Sequence, residues 1–154
     1  MGVQRDIVSC FVFDPDGRLL LLQRHRDDWG GGLWATPAGK IEAAETPEAA
    51  ILREVHEEAG ILLPKVTFLG THHITMPHGS VQMASFEARL KILPDITLRA
   101  DEHEAHKWFK LETLLEHPNI IWATPTILRD FGLIADFATD PTLADGSKVK
   151  LLTR

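Results

Sequence analysis

The sequence predicts an α/β domain, a mixed β-sheet carrying helices on its faces, and three observations predict it. A chain of 154 residues with 44% apolar and 25% charged side chains has the composition of one ordinary globular core. Short apolar runs bounded by turn chemistry recur at 7–13, 18–24, 65–76, 80–93 and 106–110. One strongly bounded helix and two weaker ones fall among these runs, and no regular strand-helix alternation appears, which argues against a fully parallel sheet.

Taken in order, the runs 7–13 and 18–24 flank Asp14-Pro15-Asp16-Gly17. Proline fixes one φ there and glycine is free to take a positive one, so an antiparallel hairpin is expected. The only cysteine, Cys10, lies in the first run, which excludes an internal disulfide and an all-cysteine zinc site and suits a small core side chain. Residues 25–33 are polar with three consecutive glycines, the mark of a mobile loop leading into the short segment 34–42. A helix is expected over 47–59: Thr46 can cap it, Pro47 suits its first position, Glu48 suits the positive end of its dipole, and Gly60 suits a left-handed stop. The runs 65–76 and 80–93 form a second strand pair broken by Pro77-His78-Gly79. A short strand over 106–110 leads to a helix at about 111–117, and Pro125 opens a last helix reaching Phe131. Without repeats or a linker, residues 1–135 read as one domain. The tail 136–154 is frayed, or is ordered against the domain or a partner subunit.

Sixteen Lys and Arg against twenty-two Asp and Glu give a net charge of -6, which argues against a nucleic-acid polymer as partner. No apolar stretch approaches the length of a membrane span, the N-terminus lacks a signal-like apolar region, and Asp6 interrupts the myristoylation pattern begun by Met1-Gly2. A cytoplasmic protein, monomeric or homodimeric, is expected. The acidity is concentrated: residues 45–58 hold five glutamates against one arginine, and residues 101–104 hold three acids.

Within the expected helix, Glu54, Glu57 and Glu58 are three and four residues apart and project from one face. Like charges at this spacing, in the half where the backbone dipole is also negative, are locally unfavourable. Arg53, one turn before Glu57, offsets only part of that. Two readings stand on spacing alone: a solvated acidic face, or a site for a hard divalent cation that converts repulsion into coordination.

The wider pattern weighs between them. From Gly39, five residues lead to Glu45, seven more to Arg53-Glu54, and then come Val55, one residue, Glu57-Glu58, one residue, Gly60 and Ile61. This resembles the Nudix box of the Nudix hydrolases, position for position. The resemblance implies a MutT-like fold, an α/β/α sandwich in which a loop-helix-loop holds divalent cations, Mg2+ with Mn2+ as a possible substitute. It further implies hydrolysis of nucleoside diphosphates linked to another moiety. Metal ligands would be Glu54, Glu57, Glu58 and the Gly39 carbonyl; Arg53 would orient Glu57 and Glu45 would brace the loop. Bound cation would screen an anionic substrate and lower the pKa of an attacking water.

Outside the box, Arg24 ends a strand beside the glycine loop, where its planar fork can meet phosphate, as an arginine does at the matching place in MutT-like enzymes. Glu102 lies six residues before Trp108, resembling a loop glutamate that serves as metal ligand or general base, and Glu104 competes for that role. His103 and His106 read as solvated or hydrogen-bonded rather than as zinc ligands. Trp29 and Trp34 flank the glycine loop and either can stack on a base, packing being the rival role for Trp34. Asn119, Trp122 and Thr124 fall where MutT-like enzymes contact the base, although Trp122-Ala123-Thr124-Pro125 matches their pattern imperfectly. The leading expectation is a small nucleotide substrate, an ordinary or damaged nucleoside triphosphate cleaved to monophosphate and pyrophosphate. ADP-ribose or a nucleotide sugar is the alternative, since Pro37-Ala38-Gly39 and Pro77 resemble ADP-ribose pyrophosphatases. A nucleotide sensor without catalysis is the alternative of another class, disfavoured by a complete set of box carboxylates.

Overall fold

The computed structural model describes residues 3–77, 79–121, 123–136 and 148–153. These form an α/β/α sandwich around an eight-stranded mixed sheet. The first strand, β1 (Val3–Phe13), is buried on both faces over residues 8–13 and runs parallel to β6 (Gly79–Arg89) along its whole length. The antiparallel strand β5 (Thr67–Met76) pairs with β6, and β2 (Leu19–Arg24) pairs with β7 (His103–Phe109).

The side-chain alternation of β1 and β2 builds two cores. Val8, Cys10, Val12, Leu20 and Leu22 pack under α1 (Pro47–Ala59), against Ile51 and Val55. Phe11, Phe13, Leu19 and Leu21 pack on the other side, against Leu114, Ile127 and Leu128. Leu114 belongs to a 3-10 helix (Leu111–Glu116), and the other two belong to α2 (Ala123–Asp130). Helix α1 has the ends its sequence calls for: Thr46 Oγ1 accepts from the Ala49 N–H at 3.1 Å, Pro47 opens the helix, and Gly60 closes it at φ 72°.

The expected hairpin is present only at its turn. Asp14 Oδ1 accepts from the backbone N–H groups of Asp16 and Arg18, and Gly17 takes φ 80°. Beyond the Phe13–Leu19 pair the strands part. The segment 34–40 fills the gap, with β3 (Trp34–Ala35) on β2 and β4 (Ala38–Lys40) on β1, because a doubly buried strand such as β1 needs a hydrogen-bonding neighbour on each edge. Smaller departures have local causes. Strand β7 starts three residues earlier than expected, β6 ends at Arg89, and the segment after Lys110 is a 3-10 helix rather than an α-helix. Pro125 is the third residue of α2, a first-turn position where its missing N–H costs no bond. In the tail, β8 (Lys148–Thr153) pairs with β5 of the same chain; residues 137–147 lie outside the described residues. No helix among the described residues is long and apolar enough to cross a membrane.

Candidate active site

Helix α1 lies with Ala50, Ile51, Val55 and Ala59 on the sheet, and Glu58 falls on that same buried stripe, seven residues after Ile51. Only 6% of Glu58 is exposed, and one carboxylate oxygen accepts from the Ala38 N–H at 3.2 Å. Burial first, then the charges of Glu54 and Glu102, push its carboxyl up to about 9. Glu54 is raised as well, chiefly by burial, with Arg53 opposing, and its carboxyl meets that of Glu58 within hydrogen-bonding reach.

Arg53 organises the rest of the face. Its Nε and one terminal nitrogen donate to both oxygens of Glu45 at 2.7 and 2.9 Å, a fork-on-fork pair that holds Glu45 down at about 2. The remaining N–H groups reach Glu54 at 2.8 Å, Glu57 at 3.3 Å and the Lys40 carbonyl at 3.0 Å. Glu45 also accepts from the Glu42 N–H, so one arginine joins the loop, β4 and three glutamates. Gly39 faces this cluster: a Cβ there would fall on the Glu54 carboxylate.

The loop before β7 closes the site from above. The Glu102 carbonyl accepts from the His25 N–H at 2.9 Å, and Arg99, which the sequence analysis passes over, lies 3.9 Å from Glu57 and 3.8 Å from Glu102. Glu104 points elsewhere, paired with Arg26 at 3.0 Å and held below the usual carboxylate range by it. Of the two competing acids, Glu102 is therefore the one whose charge reaches Glu58.

Among the described residues no three ligating side chains are already gathered as a metal centre, since Glu54 and Glu57 lean on Arg53. The donor set nevertheless fits a hard divalent cation. It consists of carboxylate and carbonyl oxygens, and two of its carboxyls repel ionisation until a positive charge arrives.

A cavity of about 760 Å³ opens beside Glu58 and Ala38. Its lining combines apolar Ile7, Ile74, Val81, Met83 and Ile127 with Arg24, Trp29 and His103. Arg24 donates through Nε to the Trp29 carbonyl at 2.7 Å and lies over the Trp29 ring. Thr124 lines the cavity, as expected of a substrate contact. Trp34 and Asn119 do not: Trp34 packs edge-on against Phe109 and His117, and Asn119 meets it through a backbone carbonyl. Trp29 takes the cavity position instead, because β3 turns Trp34 toward the core under α2. Trp122 lies outside the described residues. His103 differs from its solvated reading: it is 6% exposed, and burial first, with Arg24 beside it, lowers its imidazole to about 4.

A family model described as NUDIX domain matches residues 3–131. The chain is 30% identical over 113 residues to a CTP pyrophosphohydrolase of Escherichia coli (strain K12), covering 72% of this chain and 80% of that one. A MutT NUDIX hydrolase from Burkholderia pseudomallei superposes with a TM-score of 0.71 at 29% identity, covering 82% of this chain and 96% of that chain. The MutT protein from Methanosarcina mazei Go1 superposes with a TM-score of 0.77 at 23% identity, over 86% and 95% of the two chains, which speaks to the fold.

Proposed function

Because the chain belongs to the Nudix family of hydrolases, we propose that it cleaves a nucleoside triphosphate to the monophosphate and pyrophosphate with Mg2+, Mn2+ substituting. The observation that carries this reading is Glu58, buried at the cavity wall beside the half-buried Glu54, with both carboxyls raised chiefly by burial. Likeness over four-fifths of a CTP pyrophosphohydrolase supports the triphosphate.

In this reading Glu54, Glu57, Glu58 and the Gly39 carbonyl hold the cation. When bound, the metal supplies Lewis acidity at phosphorus and screens the anion. Arg53 keeps Glu54 and Glu57 aimed at one point, and Glu45 fixes Arg53 in turn. Glu102, a half-exposed carboxylate on the loop, takes the proton from the attacking water as the phosphorus–bridging oxygen bond breaks. Arg24 lets go of the Trp29 carbonyl to meet phosphate, while Trp29, Thr124 and the apolar wall take the base and sugar.

A second reading keeps the chemistry and exchanges the substrate for ADP-ribose, favoured by Pro77 lining the cavity. Phosphate detection with and without added pyrophosphatase, over a panel of nucleoside triphosphates and ADP-ribose, separates the two: only triphosphate cleavage yields pyrophosphate. If no nucleotide is cleaved with Mg2+ while one still raises the melting temperature, the domain senses rather than hydrolyses.

A further inference from the structure

Buried polar groups in folded proteins have hydrogen-bond partners, and each exception calls for an explanation. His103 is such an exception. Its Nδ1 is buried without a hydrogen-bond partner, and its ring lines the cavity. The backbone puts it there deliberately: the ladder between β2 and β7 shifts register between Gln23 and Arg24, so that Arg24 stands directly opposite His103. The extra residue, Glu104, lies on β7, so His103 is the side chain that changes phase: without the bulge Arg24 would stand opposite Glu104, and with it Arg24, which keeps the alternation of Leu20 and Leu22, stands opposite His103. Arg24 and His103 thus stand side by side in the wall of the cavity that Glu58 and Ala38 also line.

We propose that His103 is a substrate-contacting residue, donating an imidazole N–H to a phosphate oxygen held jointly with Arg24. Phosphate oxygens only accept, so the contact uses a ring N–H, and Nδ1 is the atom that has no partner in the free protein. Such a bond is formed with the ground state and the transition state alike, so its loss raises KM and leaves kcat nearly unchanged. A purely structural histidine would change melting temperature without this split. The inference rests on the nucleotide-hydrolase reading.

Two measurements test it. In the first, His103→Asn, which keeps a donor near the Nδ1 position, is compared with His103→Phe, which fills the space without one. His103→Phe is expected to raise KM for the best triphosphate about 10- to 100-fold, the worth of a hydrogen bond to a charged group, and His103→Asn to recover most of that. In the second, the wild-type protein labelled with 15N at histidine is titrated with α,β-methylene-CTP and Mg2+, so no variant has to fold. The Nδ1 resonance of His103 is expected to shift and its proton to become protected from exchange. Wild-type turnover with an unmoved Nδ1 signal and equal KM in both variants overturns the inference while leaving the hydrolase reading intact. A wild-type protein that cleaves no nucleotide overturns both.

Discussion

Gly39→Ala isolates the geometry of the carboxylate cluster with a single methyl group. The φ of Gly39 lies outside the left-handed region, so alanine meets no backbone strain there. What it meets is the Glu54 carboxylate, whose carbon and both oxygens occupy the place of the new Cβ. The obstacle is the far end of a flexible side chain, so the protein yields by swinging Glu54 aside. Leaving its rotamer costs about 0.5–1.5 kcal/mol, and losing the 2.8 Å bond to Arg53 costs about 1.5–3 kcal/mol. Relief of repulsion between Glu54 and Glu58 offsets part of this, leaving about 1–3 kcal/mol, or roughly 2–12 °C in melting temperature at this chain length. Activity should suffer far more, because a catalytic group moved by about 1 Å costs about 100-fold. The assay is kcat/KM across a Mg2+ titration at 25 °C, where the variant remains folded, with Gly39→Ala also placed in a Glu54→Ala background. A large loss in the wild-type background and little further loss in the second are expected, since both changes act through one carboxylate. Turnover within about threefold of wild type would refute the reasoning.

Four other outcomes follow from the same geometry. Arg53→Lys cannot span Glu45, Glu54, Glu57 and the Lys40 carbonyl together, so a loss of about 10- to 100-fold in kcat is expected in steady-state assays. Because Arg53 holds Glu45 down at about 2, wild-type stability from that pair is present above pH 4.5 and lost as pH falls toward 2. Acid melts of Arg53→Lys should show a shallower loss across that window. Glu58 carries the opposite sign: its folded carboxyl is raised to about 9, so metal-free protein should melt at lower temperature as pH rises from 4.5 toward 9, and Mg2+ should restore more at pH 8 than at pH 6. A melting temperature independent of Mg2+ at both pH values would contradict the ligand assignment. Finally, nucleotide-induced quenching of tryptophan fluorescence should fall in Trp29→Phe and persist in Trp34→Phe, since of these two Trp29 is the one that lines the cavity.

What was legible in the sequence was local. Thr46, Pro47 and Gly60 set the ends of α1 through bonds that span a few residues, and the spacing of Glu54, Glu57 and Glu58 put them on one face wherever the helix lay. The wedge at 34–40 was not legible, because β3 and β4 are two and three residues long and owe their existence to strands distant in sequence. The choice between Glu102 and Glu104 depended on Arg99 and Arg26, one local and one brought from the loop after β2. His103 was not legible either: a bulge at Glu104 breaks the alternation counted back from Phe109, and its pairing with Arg24 is set by β2, distant in sequence. Nothing local distinguished Trp34 as core and Trp29 as cavity wall.

The same contrast between local rule and tertiary fact separates functional from structural polar groups in this fold. His72 and His103 are both histidines buried on strands, at 0% and 6% exposure. His72 has a structural role: its Nε2 meets Asp130 at 2.9 Å, and its ring lies edge-on against Phe131, so it ties β5 to the end of α2. His103 Nδ1 has no such bond, and Glu58 occupies a helix position that packing would fill with an apolar side chain. Sequences satisfy packing and hydrogen bonding together except where another requirement overrides them. Here the two exceptions line one cavity, with His103 set opposite Arg24 by a bulge in β7. That coincidence is what a site built for a cation and an anion together requires: the cation at Glu58 and the anion at Arg24 and His103.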